Sequence, residues 1–230
     1  MSQSMYQIST SAALVEGVYS GSISSSTLLE HGDFGLGTFE SLEGEMVILD
    51  GQIYQILGEA RLRSDEFLVP FAGITRFHED SSFEIGPFAS LQELEAACDR
   101  HRQSDNLFYV LRLDAIFQTL HARAVHPVPK GTGLLDASKT EFEFHFQDLA
   151  GTLVCIWSPR YSSSFSIPGY HFHFISNDRT KGGHVLNCSA RQLRARMQTV
   201  SEYIVQLPDT GSFLTTNFDK DPASDLAKAE

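Results

Sequence analysis

The chain has 230 residues, of which 42% are hydrophobic and 20% charged, and its 17 Lys and Arg against 29 Asp and Glu leave a net charge of −12. This length can bury a real core in one large domain or two small packed ones. The acidic balance excludes a nucleic-acid partner, which would need a basic face, and no apolar run approaches the ~20 residues of a membrane helix. If the substrate is an acid, positive charge must be supplied locally, by a metal ion or an arginine.

The N-terminal stretch MSQSMYQISTSAALVEG has neither a basic n-region nor a continuous apolar run. It does not read as a signal peptide, which gives a cytoplasmic expectation. Thr10 or Ser11 is a cap for a short helix over Ala12–Glu16. A Ser-rich stretch and the turn glycines Gly32, Gly35 and Gly37 follow, without the strand–GxGxxG–helix context of a dinucleotide site. EMVILDGQIYQI reads as a hairpin closed by Asp50-Gly51 in a type I′ turn. Phe71–Phe77 and Ser82–Ile85 read as further strands. Ser90 to Gln103 is the clearest helix: Ser90 and Glu93 form a capping box, and Leu91, Leu94, Cys98 and His101 recur at helical spacing.

LFYVLRLDAIFQTLHARAV continues as strand with mixed periodicity. Pro127, Pro129, Gly131 and Gly133 then mark an internal boundary, dividing the chain into 1–126 and 127–230. Beyond it EFEFHFQDLAGTLVCIW alternates as sheet, and residues after Leu207-Pro208 are polar and weakly patterned, as in a loose tail. Strands dominate, and the helices do not alternate with them, which favours an α+β or mainly β architecture. Cys98, Cys155 and Cys188 lack metal or disulfide spacing and read as buried thiols.

The chemistry concentrates in PGYHFHFISNDRTKGGHVLN. Residues i and i+2 of a strand share a face, so His171 and His173 point the same way, roughly 6–7 Å apart at their bases. Asn177, Asp178, Gly182 and Gly183 turn the chain, and a hairpin would return His184 beside the pair. Three neutral imidazoles with one open position are the donor set of a catalytic zinc site, and other divalent first-row ions suit it too. The competing reading is a hairpin carrying surface histidines. Elsewhere, Glu141, Glu143, His145 and Gln147 share a face that lacks a second histidine and reads as solvated or interfacial. His31, His78, His121 and His126 stand isolated, in ordinary polar roles.

With these residues in place, the chain resembles the acetolactate decarboxylase family. The resemblance is carried by GDFGLGTFESLEGEM, NLFYVLRLDAIF, PGYHFHFISNDRTKGGHVLN and VQLPDTGSF, in the same order over essentially the whole chain. It implies an α+β fold of mixed, largely antiparallel sheets in two related halves, commonly dimeric. It also implies decarboxylation of 2-acetolactate, a small 2-hydroxy-3-oxo acid, to acetoin. By the same resemblance His171, His173 and His184 are metal ligands. Glu45 in LEGEM and Arg123 in HARAV are catalytic, and a C-terminal glutamate placed at Glu230 reaches the site. Another zinc-dependent enzyme, such as a small hydrolase, and a non-catalytic metal- or ligand-binding β protein remain the alternative classes.

Overall fold

The structure, a computed structural model, describes residues 4–229. The N-terminal part supplies β1 (Ser4–Ile8), α1 (Ser11–Val15), β2 (Ile23–Ser24), α2 (Ser25–Glu30) and β3 (Phe34–Thr38). Next come β4 (Glu45–Leu49), β5 (Gln52–Leu57), β6 (Glu59–Arg63), β7 (Leu68–Val69), β8 (Phe71–Thr75), β9 (Ser81–Ile85) and α3 (Leu91–Asp99). The remainder forms β10 (Phe108–Ala124), α4 (Leu134–Ala137), β11 (Phe142–Ser158), β12 (Gly169–Ser176), β13 (Gly182–Val200), β14 (Glu202–Gln206), α5 (Gly211–Thr215) and α6 (Ala223–Ala229). No helix among the described residues is long and apolar enough to cross a membrane.

A seven-stranded sheet has the order β14-β1-β8-β3-β4-β5-β6. Its pairings are antiparallel except β1 with β14. Asp50 and Gly51, both at positive φ (53° and 76°), close the β4–β5 hairpin as expected of a type I′ turn. The second sheet runs β10-β11-β12-β13-β9, and β10 also pairs with β13. Strands β10, β11, β12 and β13 therefore close into a ring, with β9 on its rim. The mixed periodicity of β10 has a local cause: its register against β13 shifts at Ala115/Phe117, Phe117/Thr119 and His121/Ala122. Each irregularity turns the following side chains relative to those before it.

The inside of the ring holds one apolar core, built on Tyr109, Leu113, Phe117, Phe172, Phe174 and Leu193. The alternate residues Val110, Val154, Ile156 and Ile175 face out, against Met5, Leu36, Val47 and Ile56 of the seven-stranded sheet. This alternation sets the position of His171 and His173, which share the parity of Ile175 and so lie between the two sheets. The 126/127 division falls in the connection between β10 and β11, adjacent strands of one sheet.

Helix α3 starts where its capping box predicts, with Ser90 Oγ accepting from the Glu93 N–H. It stops at Asp99 instead of reaching Gln103, and His101 stacks on Phe83 beyond its end. The C-terminal segment departs most from its polar reading. Pro222, Leu226 and Ala229 are buried at helical spacing, and α6 packs with α1 and α4 around Leu14, Val15, Leu134 and Ala137. Phe213 and Phe218, the more obvious anchors, are only half-buried and lie against each other, 5.1 Å between ring centroids.

Candidate active site

The site lies between the two sheets, beneath the cap formed by α1, α4 and α6. His171 and His173 project from β12, and His184 stands opposite His173 on β13. Gly182 and Gly183 permit this approach. A Cβ on Gly182 would fall 2.4 Å from the Phe174 carbonyl oxygen, and one on Gly183 (φ +155°) would fall 2.8 Å from the Arg123 carbonyl oxygen. The register shift between His121 and Ala122 leaves Leu186 unpaired against β10, and so sets His184 directly opposite Arg123. Arg123, His184 and His173 thus form one row across three strands.

The three imidazoles are buried, with their ligand atoms within 4.8 Å of one another. His171 Nε2 lies 3.2 Å from His184 Nδ1 and 3.1 Å from His173 Nε2. Nitrogens bonded at tetrahedral angles to one zinc ion would sit about 3.3 Å apart, so the observed separations fit a shared cation. His173 Nδ1 lies 2.8 Å from the Met46 carbonyl oxygen. That oxygen only accepts, so Nδ1 carries a proton and Nε2 is the atom turned toward the other rings, a usual outer support of a metal ligand. Burial, and then the nearby Arg123 charge, push the His171 pKa down to about 3. A neutral ring is the form that binds a metal.

Glu45, the first residue of β4, brings Oε2 to 3.3 Å from His173 Nε2. Arg123 is buried. Its Nη1 donates to Glu141 Oε2 at 2.6 Å, its Nη2 donates to the Ala229 carbonyl oxygen, and its Nε has no hydrogen-bond partner among the described residues. The cleft holding these groups encloses about 530 Å³ of space open to solvent, with Leu14, Leu42, Val125, Leu134 and Ile167 as an apolar wall. Glu230 lies outside the described residues. Its neighbour Ala229 is buried in the cleft wall, so the chain is carried to the site up to that point.

The residues singled out at positions 45, 123, 171, 173 and 184 are therefore brought together, although 45 and 184 belong to different sheets. Glu141 was missed. Read as one of a row of strand carboxylates, it precedes β11 and turns onto Arg123. No local pattern signals that contact. His145 was read as lacking a second histidine on its face, but β10 places His121 directly opposite it. The three cysteines are buried and free, as expected.

The geometry has close counterparts among known proteins. Residues 5–220 match the sequence family described as alpha-acetolactate decarboxylase. The chain is 41% identical over 229 residues to the alpha-acetolactate decarboxylase of Methanosarcina mazei, covering 98% of this chain and 80% of that protein. It is 34% identical to the enzyme of that name from Bacillus licheniformis, covering 98% and 91%. The crystal structure of alpha-acetolactate decarboxylase from Bacillus subtilis strain 168 superposes with a TM-score of 0.94 at 32% identity, over 99% of both chains. A match over most of the chain, with relatives well above 30% identity, places this protein in the alpha-acetolactate decarboxylase family.

Proposed function

We propose that this protein decarboxylates 2-acetolactate to acetoin and carbon dioxide. The observation that supports this reading is the convergence, in one buried cleft of a chain of this family, of three buried imidazoles with Arg123 and Glu45. A divalent cation, zinc in our reading, held by His171 Nε2, His173 Nε2 and His184 Nδ1, would supply a Lewis acid for the ketone and hydroxyl oxygens of the substrate.

The protein's own groups do the rest. Loss of carbon dioxide leaves an electron pair on C2, which spreads into the neighbouring carbonyl as an enediolate. Charge thus moves from the carboxylate to the C3 oxygen. Arg123, whose buried Nε has no hydrogen-bond partner among the described residues, holds the carboxylate at the outset or the oxyanion as it forms. Glu141 and the Ala229 carbonyl fix the guanidinium plane from the other side. C2 must then receive a proton. Glu45, beside His173, is the donor in reach. Glu230 is the second candidate, because Ala229 reaches Arg123.

The test is to supply 2-acetolactate to the purified protein and measure acetoin, before and after chelation and after adding zinc back. Chelation should abolish acetoin formation and zinc should restore it. A metal-loaded protein that hydrolyses esters and forms no acetoin would select the hydrolase reading instead. His173→Ala should lose both the metal and the activity; full metal occupancy in that variant would remove the histidines from the site.

A further inference from the structure

A second set of metal donors stands outside the cleft, on the paired strands β10 and β11. His121 lies directly opposite His145, and Glu143, two residues before His145, shares its face. Directly opposed residues of an antiparallel pair have Cβ atoms about 4.5–5.5 Å apart. Two strands in continuous register from Thr119 to Ala124 therefore hold three donors around one small volume without help from a loop. One ligand atom from each of the three lies within 4.8 Å of the other two. His121 Nε2 is already 2.6 Å from Glu143 Oε2, and the two imidazoles stack with centroids 4.2 Å apart and planes 18° apart.

We propose that His121, Glu143 and His145 bind a second divalent first-row cation. Two imidazole nitrogens and one carboxylate oxygen suit zinc, copper(II) or nickel(II); magnesium and calcium prefer sites of oxygen alone. Glu143 and His145 are solvent-exposed, so water completes the coordination. The cation is welcome electrostatically. The chain carries a net −12, and Arg123, the register partner of Glu143, is already paired with Glu141 at 2.6 Å. Binding replaces the His121–Glu143 hydrogen bond and rotates the stacked rings, so this site is weaker than the buried triad. Among the described residues, this set and the buried triad are the groups in which three such donors come together.

The experiment is a zinc titration of the untagged, metal-stripped full chain by calorimetry, with magnesium as a control. Two equivalents are expected, one tight and one weaker, and no magnesium binding. His145→Ala, an exposed position, should keep the tight equivalent as its own evidence of folding and weaken the second at least tenfold. His171→Ala should lose the tight equivalent and keep the weak one, which separates this site from the cleft. Saturation at one equivalent in the parent protein would overturn the proposal. So would a second equivalent that survives unchanged in both His145→Ala and His121→Ala.

Discussion

Among the described residues, Arg123 donates from both terminal nitrogens, to Glu141 and to the Ala229 carbonyl, and its buried Nε has no partner. A lysine offers one compact charge where the guanidinium offers a planar fork. Arg123→Lys is therefore expected to keep metal and fold while turnover falls about a hundredfold or more, the range seen when an oxyanion donor is lost. Metal analysis beside steady-state kinetics checks this, and loss of metal would show that Arg123 shapes the ligand set. His171 gives a second outcome, for the metal-free chain. Its folded-state pKa, pushed down to about 3, lies below the 6.5 of a free imidazole. As pH falls, the unfolded chain takes up the proton first. Stability is then full above pH 6.5 and declines by roughly 1.4 kcal/mol per pH unit down to about pH 3. Urea midpoints of the chelated protein should show that slope, and His171→Ala should flatten it. At this scale the sequence was legible where donors are close in the chain. His171 and His173 are two apart in a strand, and His184 follows one turn later. Glu141 on Arg123 and the Met46 carbonyl on His173 join segments far apart, and no short-range pattern encodes them.

The elements follow the same rule. The β4–β5 hairpin and the start of α3 were readable because Asp50-Gly51 and the Ser90–Glu93 box are local chemistry. The ring closure of β10 on β13 was not, because three register shifts blur the alternation of β10. Helix α6 escaped notice because its buried stripe is only Pro222, Leu226 and Ala229. Once docked, that stripe brings the Ala229 carbonyl onto Arg123. Removing residues 229 and 230 should therefore leave global unfolding nearly unchanged, since Leu226 still anchors the helix, while turnover falls tenfold or more. Paired melting curves and kinetics decide the point. Unchanged kinetics would assign the proton donor to Glu45 and make the Ala229 contact dispensable.

At the scale of the molecule, the two segments read from the sequence exchange strands. β10 pairs on both sides with strands that follow residue 126, and β14 returns to lie beside β1. Each segment alone would expose strand edges that the other covers. Expressed separately, residues 1–126 and 127–230 should give no cooperative melt, and mixing them should be needed to recover one. Two independent transitions would show instead that each half folds by itself. The pairing of β1 with β14 also bears on how the protein is made. Ser4 faces Glu202, 198 residues later in the chain. At a translation rate of about 5–20 residues per second, β1 emerges roughly 10–40 seconds before its parallel neighbour exists. During that interval the nascent sheet offers a bare edge to any other extended chain nearby. Yield of native protein should therefore depend on temperature and on holding chaperones during synthesis, more than on the stability of the finished fold.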